Sequence, residues 1–139
     1  MDRDDLGALF ARITRRLVDA ERPLLAAHEL SMWSYVVLSH LARSPTGTQL
    51  ELARAIGYDK TRLIALLDQL QTAGLLTREP DPTDRRARTV RLTTTGRERY
   101  AAARADIRAM EDDLLADLSL DERTNLLAVL PRLATQQEI

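Results

Sequence analysis

Two short clusters of cationic side chains lie in the middle of the sequence. They are Lys60 and Arg62 on either side of Thr61, followed further along by Arg85, Arg86 and Arg88. Ammonium and guanidinium groups bind phosphate oxygens, and a guanidinium also makes paired hydrogen bonds to the edge of guanine. The two clusters therefore predict a surface for a polyanion with readable bases, double-stranded DNA above all.

The net charge of −1 conceals a segregation of charge along the chain. Residues 1–47 carry six basic and six acidic side chains, residues 48–99 carry ten and seven, and residues 100–139 carry four and eight. The middle segment is therefore net positive and the last segment net negative. Such a division is expected if the middle contacts phosphate while the ends have another purpose.

Other function classes find little support in the composition. The chain has no cysteine, no Gly-rich phosphate loop and no serine, histidine and acid set at a recognisable spacing, so we predict that it is not an enzyme. The acidic start and the short apolar runs predict a cytoplasmic protein without a membrane span. Two histidines far apart give no case for a metal site, and no cofactor is expected.

The elements that must position the cations are mostly helices. Apolar residues recur at helical spacing from Leu6, with Pro23 disturbing the pattern, and Ser31 can cap a second helix. That second helix is expected to carry Trp33, Val36, Val37, Leu38 and Leu41 inward. Thr48 with Glu51 predicts a capping box at the start of a short third helix, Gln49 to Ile56.

A helix-turn-helix is predicted around the first cationic cluster. Gly57 ends the third helix, Asp59 can cap the fourth, and Gly74 ends it. Leucines at 63, 66, 67 and 70 give this fourth helix one apolar face. Two helices joined by a tight turn with polar residues at the start of the second are typical of the motif, with the second as recognition helix.

The second cluster falls in a predicted hairpin. Residues 75–79 and 89–93 read as strands on either side of a loop with two prolines and two aspartates. Arginines there suit a narrow minor groove, while a solvated charged loop is the alternative. Asp84 cannot favour phosphate, so we expect it to hold Arg86 or to cap the loop.

Two further helices are predicted after the hairpin. The first runs from about Thr94 to Leu118 with a sparse apolar stripe. Ser119 and Glu122 form a second capping box, which opens a last helix with Pro131 inside it.

Residues 57–96, GYDKTRLIALLDQLQTAGLLTREPDPTDRRARTVRLTTTG, and 118–127, LSLDERTNLL, resemble the multiple antibiotic resistance regulator (MarR) family. The run Asp-Pro-x-Asp-Arg-Arg-x-x-x-Val-x-Leu-Thr carries most of the likeness. The resemblance implies a mainly α winged helix-turn-helix with a two- or three-stranded wing and a homodimer built from the first, fifth and sixth helices. It implies a repressor of a pseudo-palindromic operator, in some members relieved by a small phenolic or aromatic effector.

The same resemblance divides the single domain, residues 1–139, by purpose. Residues 30–96 are expected to bind DNA, and residues 1–29 and 97–139 to dimerise. Where the family often has a polar and then a basic residue in the recognition helix, this chain has Ile64 and Ala65. Base readout would then depend on the earlier cluster. The expected DNA-binding residues are Thr48, Lys60, Thr61, Arg62, Arg85, Arg86 and Arg88.

The resemblance further implies an effector pocket between the dimerisation helices and the winged part. Its candidate residues are Trp33, Tyr35, His40 and His28, although aromatic residues on an amphipathic helix are more often core. The remaining alternative for the whole chain is a winged helix that binds another protein and not DNA. Such a module would have no need of three arginines on its wing.

Overall fold

The computed structural model describes residues 2–44 and 47–135, in which six helices and two strands follow one another along the chain. The helices and strands, in order, are α1 (Leu6–Ala27), α2 (Met32–Arg43), α3 (Gln49–Ile56), α4 (Lys60–Thr72), β1 (Leu76–Pro80), β2 (Arg88–Leu92), α5 (Thr94–Leu114) and α6 (Leu120–Ala134). The mainly α class, the helix order and the wing are all as predicted.

Every helix after α1 begins with a local side-chain cap. Ser31 Oγ accepts a hydrogen bond from the Ser34 backbone N–H at 3.1 Å, and Asp59 and Ser119 cap α4 and α6 in the same way. Ser119 and Glu122 make both bonds of a capping box. At α3 only the bond from the Glu51 N–H to Thr48 Oγ1 forms, at 3.2 Å, so that predicted box is half complete within the described residues.

The wing is an antiparallel pair of strands, with Leu76 opposite Leu92 and Pro80 opposite Arg88. Each strand is displaced by one residue from its predicted range. Thr48 adds an isolated bridge to Thr89, and the Val90 N–H donates to the Gly47 carbonyl at 3.1 Å. The segment before α3 is thereby hydrogen-bonded to the wing as a minimal third strand.

One hydrophobic core joins α2, α3, α4, both strands and the middle of α5. Its fully enclosed side chains include Val37, Leu38, Leu63, Leu67 and Val90. Because these side chains come from α2, α4 and β2, the core fixes α4 relative to the wing.

Trp33 departs from the inward position predicted for it, since 40% of its surface is exposed. The buried face of α2 is formed by Ser34, Val37, Leu38 and Leu41. At 100° per residue Trp33 falls on the flank of that face, where its ring contacts Tyr58.

The two helices after the wing depart from expectation in different ways: α5 is shorter than predicted, and α6 has no buried residue among those that the structure describes. Helix α5 ends at Leu114, four residues before the predicted end, because the chain turns through residues 115–118 ahead of the Ser119 cap. None of the described α6 residues is buried. This helix is attached to α5 by an ion pair between Arg123 and Asp112.

Candidate nucleic-acid interface

The first cationic cluster lies in the first turn of α4. Gly57 adopts a left-handed conformation, φ 66°, which lets the chain reverse between α3 and α4. Asp59 Oδ2 then accepts a hydrogen bond from the Arg62 N–H at 2.9 Å and begins the helix. Lys60, Thr61 and Arg62 are all exposed at this helix end, where the free N–H groups and the helix dipole favour an anion.

The wing loop is ordered by its two aspartates. Asp81 Oδ1 accepts hydrogen bonds from the Thr83 N–H at 2.9 Å and from its hydroxyl at 2.8 Å, and these bonds lower the pKa of Asp81. Asp84 Oδ1 accepts from the Arg86 N–H at 3.0 Å. Of the two roles predicted for Asp84, capping the loop is therefore the one observed.

The three arginines of the wing are exposed, so another partner can approach their guanidinium groups. Arg85 and Arg86 lie in the loop, while Arg88 is the first residue of β2, and all three are exposed. The two loop carboxylates accept hydrogen bonds from the main chain and from the Thr83 hydroxyl, and neither is paired with a guanidinium group of the wing arginines. The wing thus presents cations on a fixed loop.

A cleft of about 180 Å³ connects the wing to the start of α4. Its lining residues are Thr48, Gln49, Leu50, Lys60, Asp84, Arg86, Ala87 and Arg88. Four of the seven predicted DNA-binding residues therefore meet in one place, although they are up to 40 positions apart. The other three, Thr61, Arg62 and Arg85, are exposed but do not line it.

The cleft has three cationic side chains and one carboxylate, that of Asp84, which the loop main chain already engages. A concave surface with an excess of positive charge concentrates the potential and attracts a polyanion. Thr48 adds a hydroxyl and Gln49 an amide, both suited to phosphate or sugar oxygens.

Sequence reasoning missed Gln49 and Leu50, which follow Thr48 in the first turn of α3. Leu50 is 41% exposed, whereas Leu52 and Ala53 of the same short helix are buried. The signal available for both residues was their place next to Thr48, which was already expected to bind DNA. Only the fold shows that this turn faces Lys60.

The candidate effector residues do not share one of the described cavities. The ring centroids of Trp33 and Tyr58 are 4.3 Å apart. Tyr35 packs elsewhere, with its ring centroid 5.5 Å from that of Tyr100 on α5. Burial, and then the proximity of Tyr100, raise the pKa of Tyr35. His40 lines a separate cavity of about 270 Å³ beside Thr48 and α3.

His28, the fourth effector candidate, lies away from those residues. Its Nε2 is 2.6 Å from Asp106 Oδ2, which ties the end of α1 to α5. The observed role of His28 is thus a contact between helices.

Apolar side chains are exposed along α1 and α6. The largest are Leu6, Phe10, Ile13, Leu120, Leu127, Val129 and Leu133. Between these helices and α5 runs an apolar groove of about 230 Å³. Exposed apolar side chains beside an apolar groove are typical of an interface between subunits.

Comparison with known proteins agrees with this geometry. A family model described as MarR family matches residues 28–87. The transcriptional repressor CouR, solved with a 23-mer DNA duplex, is 31% identical over 94% of this chain and 92% of its own, with a TM-score of 0.84. The chain belongs to the MarR family.

Two further MarR-family structures extend the match over nearly the whole chain. A crystal structure of MarR is 30% identical over 96% of this chain and 92% of its own, with a TM-score of 0.87. PcaV, a transcriptional regulator from Streptomyces coelicolor solved with its natural ligand, is 28% identical over 99% and 100%, with a TM-score of 0.72. Among the described residues, no helix is long and apolar enough to cross a membrane.

Proposed function

We propose that this MarR-family chain is a sequence-specific double-stranded DNA-binding transcription regulator, and that it represses by occupying a pseudo-palindromic operator as a homodimer. The observation that carries the proposal is the cleft in which Lys60 of α4 faces Arg86 and Arg88 of the wing. A recognition helix and a basic hairpin that share one cationic surface can contact the major groove and the adjacent minor groove together.

Each expected DNA-binding residue then has a definite role. Arg62 reads guanine through two hydrogen bonds, while Thr61 and Thr48 bind backbone oxygens. Lys60 neutralises phosphate beside the cleft. Arg85, Arg86 and Arg88 insert into the minor groove. Asp84 stabilises the loop conformation by accepting a hydrogen bond from the Arg86 N–H.

The dimer follows from the apolar surfaces of α1 and α6. Residues 1–29 and 97–139 form the two-fold interface in this proposal, and residues 30–96 form the DNA-binding part. Because two copies related by a two-fold axis read two half-sites, the operator should repeat at a spacing of about 34–36 Å or a multiple of it.

A small phenolic or aromatic effector completes the proposal. PcaV, whose structure contains its natural ligand, supports a ligand of some kind, and the family resemblance implies its phenolic or aromatic class. In this chain the Tyr35 ring of α2 packs against the Tyr100 ring of α5. An aromatic effector inserted between these rings would change the angle between the DNA-binding part and the dimerisation helices. Trp33 and His40 serve as the other candidate contacts. The activity is binding, without catalysis, and takes place in the cytoplasm with the DNA.

Titration of a fluorescent duplex tests the central claim. Purified protein is mixed with the region upstream of its own gene and with a generic duplex, at salt concentrations between 50 and 200 mM. A dimer that makes six to ten phosphate contacts should lose roughly 10³- to 10⁵-fold in affinity across that range. Arg86→Ala should weaken binding to both duplexes, whereas Arg12→Ala, an exposed α1 arginine outside the cleft, should not.

The protein-binding alternative makes the opposite prediction. If the wild-type dimer retards neither duplex at low salt, DNA binding is wrong and a protein partner takes its place. If Arg86→Ala and Arg12→Ala are equal to wild type on the operator, the wing has no part in the mechanism.

A further inference from the structure

Arg78 of β1 connects three elements of the winged part through its guanidinium group. Nε donates a hydrogen bond to Gln71 Oε1 at 2.7 Å, Nη1 donates to Gln49 Oε1 at 3.3 Å, and Nη2 pairs with the carboxylate of Asp68. Only 15% of the Arg78 side chain is exposed, so the group is held within the protein and does not extend into solvent. A forked guanidinium with three partners has a defined orientation.

Asp68 lies on the exposed face of the recognition helix. Leu63, Leu67 and Leu70 bury the opposite face of α4. At 3.6 residues per turn, Thr61, Ala65 and Asp68 share the outer face, at i, i+4 and i+7. The Asp68 side chain is 60% exposed, so its charge is directed outward along with the residues that would read DNA.

A free carboxylate on that face would repel phosphate. Two like charges a few ångströms apart oppose each other strongly where protein and DNA displace the solvent between them. The partner that offsets the Asp68 charge in the structure is Arg78, which also reaches Gln49 beside the cationic cleft. The pair lies where α3, α4 and the wing meet.

From these contacts we infer that Arg78 is a positioning residue of the DNA-binding surface: it neutralises Asp68 and fastens it, so that the outer face of α4 can approach DNA. The inference rests on the proposed DNA-binding function. It assigns Arg78 an action through Asp68 and not a phosphate contact of its own.

A double-mutant cycle with the full-length dimer tests this role. Operator affinity is measured for Arg78→Met, for Asp68→Asn and for the double variant. Arg78→Met should weaken binding by roughly tenfold, the factor that 1.4 kcal/mol represents. Asp68→Asn should restore most of that loss in the Arg78→Met background, while changing wild-type affinity by less than about twofold, because contacting residues are not additive.

Arg91→Met is the matched control. It removes the same charge from the neighbouring strand β2, where the exposed Arg91 is opposite Thr77. In that background Asp68→Asn should again have little effect. If Arg78→Met does not fold as a dimer by circular dichroism and gel filtration, Arg78→Gln replaces it in the same cycle.

Three results separate the possibilities. If Asp68→Asn changes operator affinity by the same factor in the wild type, in Arg78→Met and in Arg91→Met, Arg78 does not act by neutralising Asp68 and the inference is wrong. If the double variant stays as weak as Arg78→Met and the salt slope falls by about one, Arg78 contacts phosphate directly and the inference is overturned. If the wild-type dimer does not bind the duplex, the proposed function itself fails, a result distinct from either of the others.

Discussion

Gly96, in the first turn of α5, lies against the backbone of Leu75 so closely that a Cβ at Gly96 would stand 2.0 Å from the Leu75 carbonyl oxygen. Thr93 strengthens the same contact, because its N–H donates to that oxygen at 3.1 Å and its hydroxyl donates to the Gly74 carbonyl at 2.6 Å. The start of the long α5 helix is thus joined, backbone to backbone, to the start of the wing.

Substitution of Gly96 by alanine should therefore destabilise the protein. The added methyl group meets main-chain atoms, which cannot move aside as a side chain would, and overpacking of this kind costs about 1–3 kcal/mol. Urea denaturation at a fixed dimer concentration measures the change. Gly7→Ala is the control, since a Cβ at this α1 position has no neighbour within 4 Å and should be neutral or stabilising. Equal stability of the two variants would contradict the contact.

Arg62→Ala should alter sequence preference more than general DNA affinity. The Arg62 side chain is exposed in the first turn of α4, and its loss should cost roughly 1–3 kcal/mol at one symmetric pair of operator positions. Binding to an operator library and to random duplex separates the two effects. Equal losses on both would show that Arg62 contacts only the backbone.

Leu127→Glu should dissociate the dimer. Leu127 is 52% exposed on α6 and lines the apolar groove, so a charge there opposes burial against a second copy. Sedimentation should show the dimer weakened by at least about tenfold, or 1.4 kcal/mol. Leu50→Glu is the matched control: Leu50 is 41% exposed but lies in the cationic cleft, so this variant should stay dimeric and lose DNA binding. A dimeric Leu127→Glu protein would exclude α6 from the interface.

Glu21→Gln should stabilise the protein near neutral pH. Burial, and then the charge of Glu111, raise the pKa of Glu21 from its ordinary value. A raised folded-state pKa means that the protonated form contributes stability below the unfolded-state pKa, and that this contribution is lost as the pH rises through the folded-state value. Glutamine mimics the protonated form, so its advantage should be present at pH 7 and vanish near pH 4. Denaturation at both pH values measures it, with exposed Glu98→Gln as control.

Local features of the fold were predictable because their causes are local. Ser31, Asp59 and Ser119 each cap an N–H three residues ahead, so the sequence alone indicates where those helices begin. The end of α5 was not predictable in this way. Its apolar stripe continues to Leu118, and only the need for a turn before Ser119 stops the helix at Leu114.

Features that depend on distant residues were the ones missed. Residue type and the hairpin motif predicted the cationic side chains that line the cleft. That Leu50 also lines it depends on how α3 packs beside the wing. The Arg78 contacts draw on α3, α4 and β1, so no spacing in the sequence reveals them. Trp33 was misplaced because an aromatic residue beside a buried face is easily assigned to it.

The complete exposure of one face of α6 has a consequence for the protein at low concentration. A helix of 15 residues with no buried side chain is only marginally stable in water by itself. Its amide hydrogens should then exchange quickly in a dilute sample and slowly in a concentrated one, whereas those of Leu63 and Val90 in the core should be indifferent to dilution. On the proposed dimer, the last helix would acquire its order from the second copy, so we expect the protein concentration to determine how much of each molecule is folded.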